Sequence, residues 1–230
     1  KPTARSSLPY HPPMTSNSSS LLNDWAGYWL LDHGFLRTVF SNRYELAGGL
    51  YRVNQPSPGK LRWYRDHLGV RTVVNLRGEA PHMAFFRLEE RACKRLGLNL
   101  VNARTWSRGL LKPHEIQHLK TVIDSLETPA IAHCKSGADR AGFFAVLWRH
   151  WRLGEPIGHA MAELHWRYGH SSRAKTGMLD HFFDTYLKQA KPGQSLIDWV
   201  HHDYDMQAVR ESFQPRGLSS LLVDKLLNRE

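Results

Sequence analysis

The most informative stretch of this sequence is Pro129-Ala-Ile-Ala-His-Cys-Lys-Ser-Gly-Ala-Asp-Arg-Ala-Gly142, followed by an apolar segment that ends at Trp151. Residues 129–133 are mostly small or apolar and predict a buried strand, and the apolar residues after Gly142 recur at helical intervals. Residues 134–142 therefore form a loop between a strand and the start of a helix. In such a loop, successive backbone N–H groups point into one concavity, and the helix N-terminus adds a positive partial charge. This concavity fits a phosphate dianion.

The alternation of strand and helix continues upstream of this stretch. Further strands are predicted at Leu50–Val53, Arg71–Leu76 and Leu98–Asn102, and helices after Ser57, over residues 82–96 and from Pro113 to about Leu126. This order predicts an α/β fold in which helices flank a central, mainly parallel sheet. Beyond Glu155 the chain is predicted to be helical throughout.

Composition and apolar patterning divide the chain into regions. Residues 1–20 are rich in Ser and Pro and are predicted to form a disordered tail. Residues 21–40 carry an apolar helical stripe, which favours packing on the core and leaves peripheral contact with a membrane or a partner as the alternative. We expect residues 21–230 to form a single domain with an extra N-terminal helix. Its core is predicted at about residues 48–170, with a helical C-terminal extension over residues 171–230.

The bulk composition limits the class of protein. With 230 residues, 41% of them hydrophobic, the chain can bury one core without disulfides or a metal. Its formal charge of +10 favours anionic partners, but nucleic-acid binding is not expected because no recognised motif accompanies the charge. Two cysteines are too few for a secreted disulfide framework, and no apolar run reaches the roughly 18 residues of a membrane span. We therefore expect a cytoplasmic protein that is soluble or lies at a membrane surface.

Cys134 and Arg140 carry the predicted chemistry of the loop. The field that attracts phosphate also favours a thiolate over a thiol, which makes Cys134 a candidate nucleophile. Arg140, six positions later, can hold two phosphoryl oxygens with its planar guanidinium and neutralise charge in the transition state. Gly137 lets the backbone approach the ligand, and Gly142 is expected to permit close packing of the helix on the strand.

Residues 133–142 resemble the Cys-x5-Arg signature of the protein tyrosine phosphatase superfamily, in its dual-specificity branch. Residues 51–56 and 73–79 resemble segments of bacterial dual-specificity-like phosphatases, so the similarity spans about residues 48–170. The resemblance implies a dual-specificity phosphatase-like fold and hydrolysis of phosphate monoesters through a phosphocysteine intermediate, with no metal or cofactor. It implies as substrate either proteins that carry phosphotyrosine, phosphoserine or phosphothreonine, or a phospholipid or phosphoinositide headgroup.

The resemblance also assigns expected roles within the loop. The catalytic set is Cys134, Arg140 and Asp139, and His133 supports the nucleophile. Phosphate contacts are expected from Lys135, Ser136, Gly137, Ala138, Asp139 and Arg140. An aspartate directly before the arginine is similar to the loops of myotubularins, and Lys135 is similar to the basic loop of a phosphoinositide 3-phosphatase. Both similarities favour a multiply anionic headgroup.

Two departures from the family pattern bear on the mechanism. Ala141 replaces the usual Ser or Thr, whose hydroxyl assists breakdown of the phosphocysteine, and residues 103–109 contain no carboxylate where the family carries its general acid. Asp139 is therefore the predicted acid, with Glu79 in reserve. Capping of the helix or orientation of Arg140 is the structural alternative for Asp139. The same departures support an alternative function, a catalytically impaired phosphate-binding module.

Two other features have competing interpretations. His114, Glu115 and His118 spell the H-E-x-x-H motif of zinc hydrolases on a predicted helix, a remote alternative because the usual continuation and third ligand are missing. Cys93 is predicted to be a half-buried structural residue, with a role as resolving thiol for oxidised Cys134 as the alternative.

Overall fold

A five-stranded sheet lies at the centre of the protein. The computed structural model describes residues 42–215, and in this part of the chain the strands are β1 (Tyr44–Leu46), β2 (Leu50–Asn54), β3 (Thr72–Asn75), β4 (Asn99–Asn102) and β5 (Ala130–Cys134). Their order across the sheet is β1-β2-β5-β3-β4. β1 pairs antiparallel with β2, and the other pairs are parallel. β5 is therefore the central strand, and the loop that follows it begins at the middle of the sheet edge.

Helices cover both faces of the sheet. They are α1 (Pro58–Leu68), α2 (Ala84–Leu96), α3 (Pro113–Ser125), α4 (Asp139–Trp151), α5 (Ile157–Ala160), α6 (Met178–Gln189), α7 (Leu196–His202) and α8 (Met206–Ser212). Helices α1 and α2 pack on one face, where they share an apolar cluster with Ile131 of β5. Helix α3, helix α4 and the helices after it pack on the other face, with Ala132 and Cys134 of β5. The alternation of β5 side chains thus separates two clusters.

The C-terminal helices belong to the same apolar cluster as α4. Phe182 and Phe183 of α6 and Trp199 of α7 are at most 1% exposed and lie in that cluster with Phe144. Burial of side chains of this size contributes about 1.5–3 kcal/mol each. Helix α4 is thereby fixed between the sheet and the C-terminal helices, and so is the loop that leads into it.

Local sequence rules account for most element boundaries. The Ser57 hydroxyl accepts a hydrogen bond from Lys60 N (3.3 Å) at the start of α1, and Gly97 ends α2 with a φ of +68°. The predicted strands, and the predicted helices between residues 57 and 151, are present with ends shifted by a few residues, and the short edge strand β1 was not predicted. The expectation that the chain is helical throughout beyond Glu155 is wrong, because residues 161–177 form only short 3-10 turns with irregular backbone between them, and Gly169 has a φ of +85°. The α/β fold with a mainly parallel sheet is confirmed.

Part of the predicted organisation cannot be placed on this fold. The tail over residues 1–20, and the helix with its membrane or partner contact over residues 21–40, lie outside the described residues. Between residues 42 and 215, no helix is both long enough and apolar enough to cross a membrane.

Candidate active site

The sulfur of Cys134 lies at the bottom of the loop between β5 and α4. Cys134 is the last residue of β5 and is 2% exposed, and the backbone N–H of Gly137 donates a hydrogen bond to its Sγ (3.2 Å). The N-terminus of α4, a helix of 13 residues, begins five positions later. An amide donor and the positive end of a helix therefore both face this sulfur, the arrangement that binds anions at helix N-termini.

Gly137 allows the loop to pack directly against the end of β2. Its φ is +76°, and a Cβ atom at this position would lie 2.8 Å from Asn54 N and from the carbonyl carbon of Val53. Such distances are too short for a side chain, and the left-handed backbone also favours glycine. Directly after β2, Gln55 N donates a hydrogen bond to the carbonyl of Lys135 in the loop (3.3 Å).

Arg52 fixes the orientation of the loop from beneath, a role that was not predicted. It lies in β2 with 0% exposure, and its Nη2 donates to the carbonyls of Gly137 and Ala138, at 2.9 Å each. In a trans peptide unit the N–H points away from the carbonyl, so the N–H groups of Ala138 and Asp139 are turned away from Arg52. Arg52 is therefore a positioning residue for the loop.

Glu163 holds Arg52 in place. Arg52 Nη1 donates to the Glu163 carbonyl (2.7 Å) and to its Oε2 (2.9 Å), and the other carboxylate oxygen accepts from Arg149 (3.1 Å). The Arg52 guanidinium also lies over the Tyr168 ring, 3.9 Å from its centroid. A Cβ on Gly142 would meet the Glu163 carbonyl at 3.0 Å. The same Cβ would lie 3.3 Å from Arg52 Nη2, so Gly142 permits close packing of the helix both on a β2 side chain, as expected, and on the Glu163 segment.

His133 belongs to a buried polar group behind the nucleophile. It is 0% exposed, and its Nε2 lies 2.8 Å from Glu89 Oε1, without the alignment of a hydrogen bond. The same oxygen accepts from Gln55 Nε2 (3.0 Å), and Gln55 Oε1 accepts from Arg77 (3.0 Å). The side chains of His133, Glu89, Gln55 and Arg77 thus bring together β5, α2, the end of β2 and the loop after β3. Their connection supports the end of β5 from the face opposite to the Cys134 side chain.

Asp139 is paired with a histidine that was not predicted to take part. Asp139 is 4% exposed at the start of α4, and its Oδ1 lies 2.8 Å from Nδ1 of His170, whose Nε2 lies 2.7 Å from Asp180 Oδ2. Burial opposes a charge on the imidazole, but the hydrogen bonds to both carboxylates outweigh it and raise the pKa of His170 to about 9. At neutral pH this imidazole is therefore a cation between two carboxylates.

Arg140 lines a cavity of about 500 Å³ that opens beside the loop. Its Nε is buried and has no hydrogen-bond partner among residues 42–215. The other charged or titratable side chains that line the cavity are Arg77, Arg104, Arg108 and His82. Residues 104–109 form one wall, and the lining contains no carboxylate. The cavity is therefore strongly cationic.

Several predicted residues lie away from this cavity. Lys135 is half-buried and Glu79 is exposed, and neither lines it. The Ser136 hydroxyl instead accepts from Ala138 N (3.4 Å) within the loop. These positions place Lys135 and Ser136 in the loop itself, as the sequence indicates, without direct access to the arginine-lined space.

The two competing sequence features have structural explanations. Glu115 accepts a hydrogen bond from Lys112 N (2.7 Å) and so caps the start of α3, while His114 and His118 are exposed. Within the described part of the chain, no group of three or more potential metal ligands comes together. The glutamate of the H-E-x-x-H motif therefore acts as a helix cap, and the two histidines are surface residues.

Cys93 is more deeply buried than predicted. It is 1% exposed on α2, where burial and the charges of Glu89 and Glu90 raise the pKa of its thiol to about 12. It belongs to the apolar cluster opposite to that of Cys134. The sheet separates the two sulfurs, which disfavours a role as resolving thiol for Cys134.

Of the three site residues that were not predicted, Arg52 could have been found from the sequence, and Glu163 and His170 could not. Arg52 is a charged residue inside the apolar strand candidate Leu50–Val53, and a charge in a buried strand requires a partner. Glu163 and His170 lie in irregular segments with no motif, and their partners are distant in sequence.

A mainly parallel sheet with a buried cysteine and an arginine in the loop after its central strand agrees with the phosphatase of the dual-specificity type that the resemblance implies. The family model described as "DSP-PTPase phosphatase fused to NAD+ Kinase" matches residues 38–177. This match covers more than half of the chain, so the chain belongs to this family.

Solved structures of phosphatases are similar to this chain at low sequence identity. P. aeruginosa TpbA is 20% identical with a TM-score of 0.48, over 70% of this chain and 88% of that chain. A putative phosphatase (DUF442) from Shewanella putrefaciens CN-32 is 17% identical with a TM-score of 0.47, over 63% and 89% of the two chains. PTPMT1 is 13% identical with a TM-score of 0.48, over 64% and 98%. No curated protein matches the chain.

Proposed function

We propose that this protein hydrolyses phosphate monoesters with Cys134 as the nucleophile. The thiolate attacks phosphorus, the bond between phosphorus and the ester oxygen breaks, and a phosphocysteine forms. Water then attacks this intermediate, which releases inorganic phosphate and restores the thiolate. The observation that carries the proposal is the hydrogen bond from Gly137 N–H to the buried Cys134 sulfur, in the same loop as Arg140.

Arg140 and the loop amides bind the phosphoryl group in this proposal. Arg140 lines the cavity beside the loop, and its buried Nε has no partner in residues 42–215. A guanidinium can hold two phosphoryl oxygens at once, and it neutralises the charge that spreads over them in the transition state. Since Arg52 holds two loop carbonyls inward, the loop backbone is fixed before the substrate arrives.

Substitution of the nucleophile tests the central step. We expect Cys134→Ser to abolish hydrolysis of 4-nitrophenyl phosphate, because a serine hydroxyl is not ionised near neutral pH. Cys93→Ala is the matched control, since it removes the other cysteine of the chain and should retain activity. A Cys134→Ser protein that hydrolyses this compound as fast as the parent would end the proposal.

Asp139 is the proposed acid for the leaving oxygen, and His170 is its proposed source of protons. The two side chains are 2.8 Å apart, and the pKa of about 9 keeps the His170 imidazole protonated at neutral pH. As the ester bond breaks, the proton on His170 Nδ1 moves to Asp139, which passes it to the leaving oxygen, and the imidazole is left neutral. Asp180 steadies the imidazole from its other nitrogen.

A comparison of leaving groups tests this assignment. Loss of a general acid costs about 100-fold or more when the leaving oxygen is strongly basic and much less when it is weakly basic. We therefore expect Asp139→Asn and His170→Gln to slow hydrolysis of an alkyl phosphate far more than that of 4-nitrophenyl phosphate. Asp124→Asn, on the surface of α3, serves as the control. Equal losses on both compounds would show that Asp139 acts through structure alone.

A catalytically impaired phosphate-binding module is the second candidate function. Ala141 is 0% exposed and offers no hydroxyl for breakdown of the phosphocysteine, which supports slow turnover. Burst kinetics separate the two functions. A burst of one product per enzyme followed by continuing release of phosphate supports the phosphatase, and binding of phosphate esters with no release supports the module.

Two classes of substrate are compatible with the proposed reaction. Phosphorylated proteins and phospholipid or phosphoinositide headgroups both present a terminal phosphate to the loop. A release assay across phosphopeptides and phospholipids, run beside Lys135→Ala, measures which of them the protein prefers.

A further inference from the structure

The cavity beside Arg140 contains more positive charge than one phosphate monoester requires. Four arginines line it, no carboxylate does, and its volume of about 500 Å³ lies within the range of about 300–1,000 Å³ typical of small-ligand sites. One arginine and the loop amides suffice to bind a single phosphoryl group in the mechanism proposed above. Arg77 belongs to the polar group behind the nucleophile, so Arg104 and Arg108 are the arginines to which that mechanism assigns no function.

Arg104 and Arg108 come from one short segment that forms a wall of this cavity. The segment leaves β4 and is anchored by a hydrogen bond from Thr105 N to the carbonyl of Leu76 (3.1 Å). Both arginines line the cavity together with Arg140. An anion bound in this space is attracted by each of these arginines.

The protein backbone is adapted to the position of Arg104. Gly78 has a φ of +76°, and a Cβ on it would lie 2.5 Å from Arg104 Nε and 2.8 Å from Arg104 Cβ. The Arg104 side chain therefore crosses a position where only glycine fits, and its Nη2 donates to the carbonyl of Glu79 (3.1 Å). These contacts orient the Arg104 guanidinium. Its planar arrangement of N–H groups matches the oxygens of a phosphate.

We propose that Arg104 and Arg108 form a second phosphate site, and that the substrate is a small molecule or headgroup that carries another phosphate besides the one hydrolysed. This inference rests on the proposed function and names its substrate class. A phosphoanhydride, a soluble bisphosphate ester and a phosphoinositide headgroup share this chemistry. A substrate with a single phosphate, such as an aryl phosphate, has no group that binds in the second site.

The test compares substrates with one and with two phosphates. The kcat/KM is measured for 4-nitrophenyl phosphate, for inositol 1,4-bisphosphate, for ADP and for vesicles that contain phosphatidylinositol 4-phosphate. The last three compounds distinguish the soluble ester, the anhydride and the lipid as sources of the second phosphate. The parent is compared with Arg104→Gln/Arg108→Gln and with Arg62→Gln/Arg71→Gln, which removes two exposed arginines outside the cavity.

We expect the ratio of kcat/KM on the preferred two-phosphate substrate to that on 4-nitrophenyl phosphate to fall about 100-fold in Arg104→Gln/Arg108→Gln. This magnitude corresponds to about tenfold for each charge-assisted hydrogen bond lost. The ratio should stay within about twofold in the control, which excludes a general effect of net charge. An unchanged ratio in the cavity variant would overturn the second site, whichever substrate is preferred.

A binding measurement separates this inference from the proposed function. Titration of Cys134→Ser protein with inorganic pyrophosphate and with inorganic phosphate should show tighter binding of pyrophosphate, and the advantage should disappear in Cys134→Ser/Arg104→Gln/Arg108→Gln. If Cys134→Ser leaves hydrolysis intact but pyrophosphate binding behaves in this way, the proposed nucleophile is wrong and the second site stands. If pyrophosphate has no advantage over phosphate, the second site is refuted while the nucleophile is unaffected.

Discussion

Arg52→Lys perturbs the loop without replacing any residue that is proposed to contact the substrate. The arginine makes four hydrogen bonds of 2.7–2.9 Å, two to the carbonyls of Gly137 and Ala138 and two to Glu163. A lysine has a single nitrogen in place of the two guanidinium nitrogens that make these contacts. It can keep the contacts with Glu163 or those with the loop, but it cannot span both.

The structure sets the expected magnitude. Arg52 is 0% exposed, so water cannot replace the partners that it loses. Two charge-assisted hydrogen bonds at about 1.5 kcal/mol each give a loss of about 3 kcal/mol in the free energy of unfolding. For a domain of this size, the loss corresponds to a decrease in Tm of about 6–12 °C. Because the loop amides are then free to rotate, we expect kcat/KM for 4-nitrophenyl phosphate to fall by about 100-fold.

Two measurements on one preparation check this prediction. Thermal unfolding gives the Tm, and steady-state hydrolysis well below that temperature gives kcat/KM for the folded fraction. Arg62→Lys, an exposed arginine on α1, controls for the substitution itself. An Arg52→Lys protein with the Tm and kcat/KM of the parent would refute the role of Arg52 as the support of the loop.

Three further predictions follow from single contacts. Gly137→Ala should lower the free energy of unfolding by at least about 1 kcal/mol more than Gly154→Ala in urea denaturation, because both have a positive φ but only Gly137 faces backbone atoms at 2.8 Å. The pKa of His170 rises from 6.5 to about 9 on folding, so its stabilising contribution is complete below pH 6.5 and is lost as the pH rises through 9. The free energy of unfolding should decrease over this window in the parent and much less in His170→Gln. Iodoacetamide at pH 7 should label Cys134 and spare Cys93, whose thiol has a pKa of about 12. Peptide mass spectrometry measures the labelling of each cysteine, and preferential labelling of Cys93 would contradict the prediction.

The sheet was predictable because its inner strands are short apolar runs bounded by turn residues. β3 and β5 are buried along their whole length, and such runs follow from sequence without knowledge of their partners. β1 was missed because it has three residues, of which two are exposed, so it shows no periodicity. Its existence depends on pairing with β2, a tertiary contact.

The residues of the loop were predictable and their supports were not. Cys134, Gly137 and Arg140 lie within seven consecutive residues, so their spacing reveals a common role. Arg52 and Glu163 are 111 residues apart, and Asp139 and His170 are 31 apart. Such pairs depend on how β2, α4 and the segment after α5 pack against each other. A local sequence pattern carries no information about this packing.

Detection of a phosphoryl group on Cys134 tests the central claim most directly. The protein is mixed with excess 4-nitrophenyl phosphate, quenched in acid within the first turnover and digested, and the peptide that contains Cys134 is examined by mass spectrometry. We expect one added phosphoryl group on the sulfur of Cys134 in the parent, and more of it than in an Ala141→Ser variant. Release of phosphate during the same turnover with Cys134 unmodified would contradict the account.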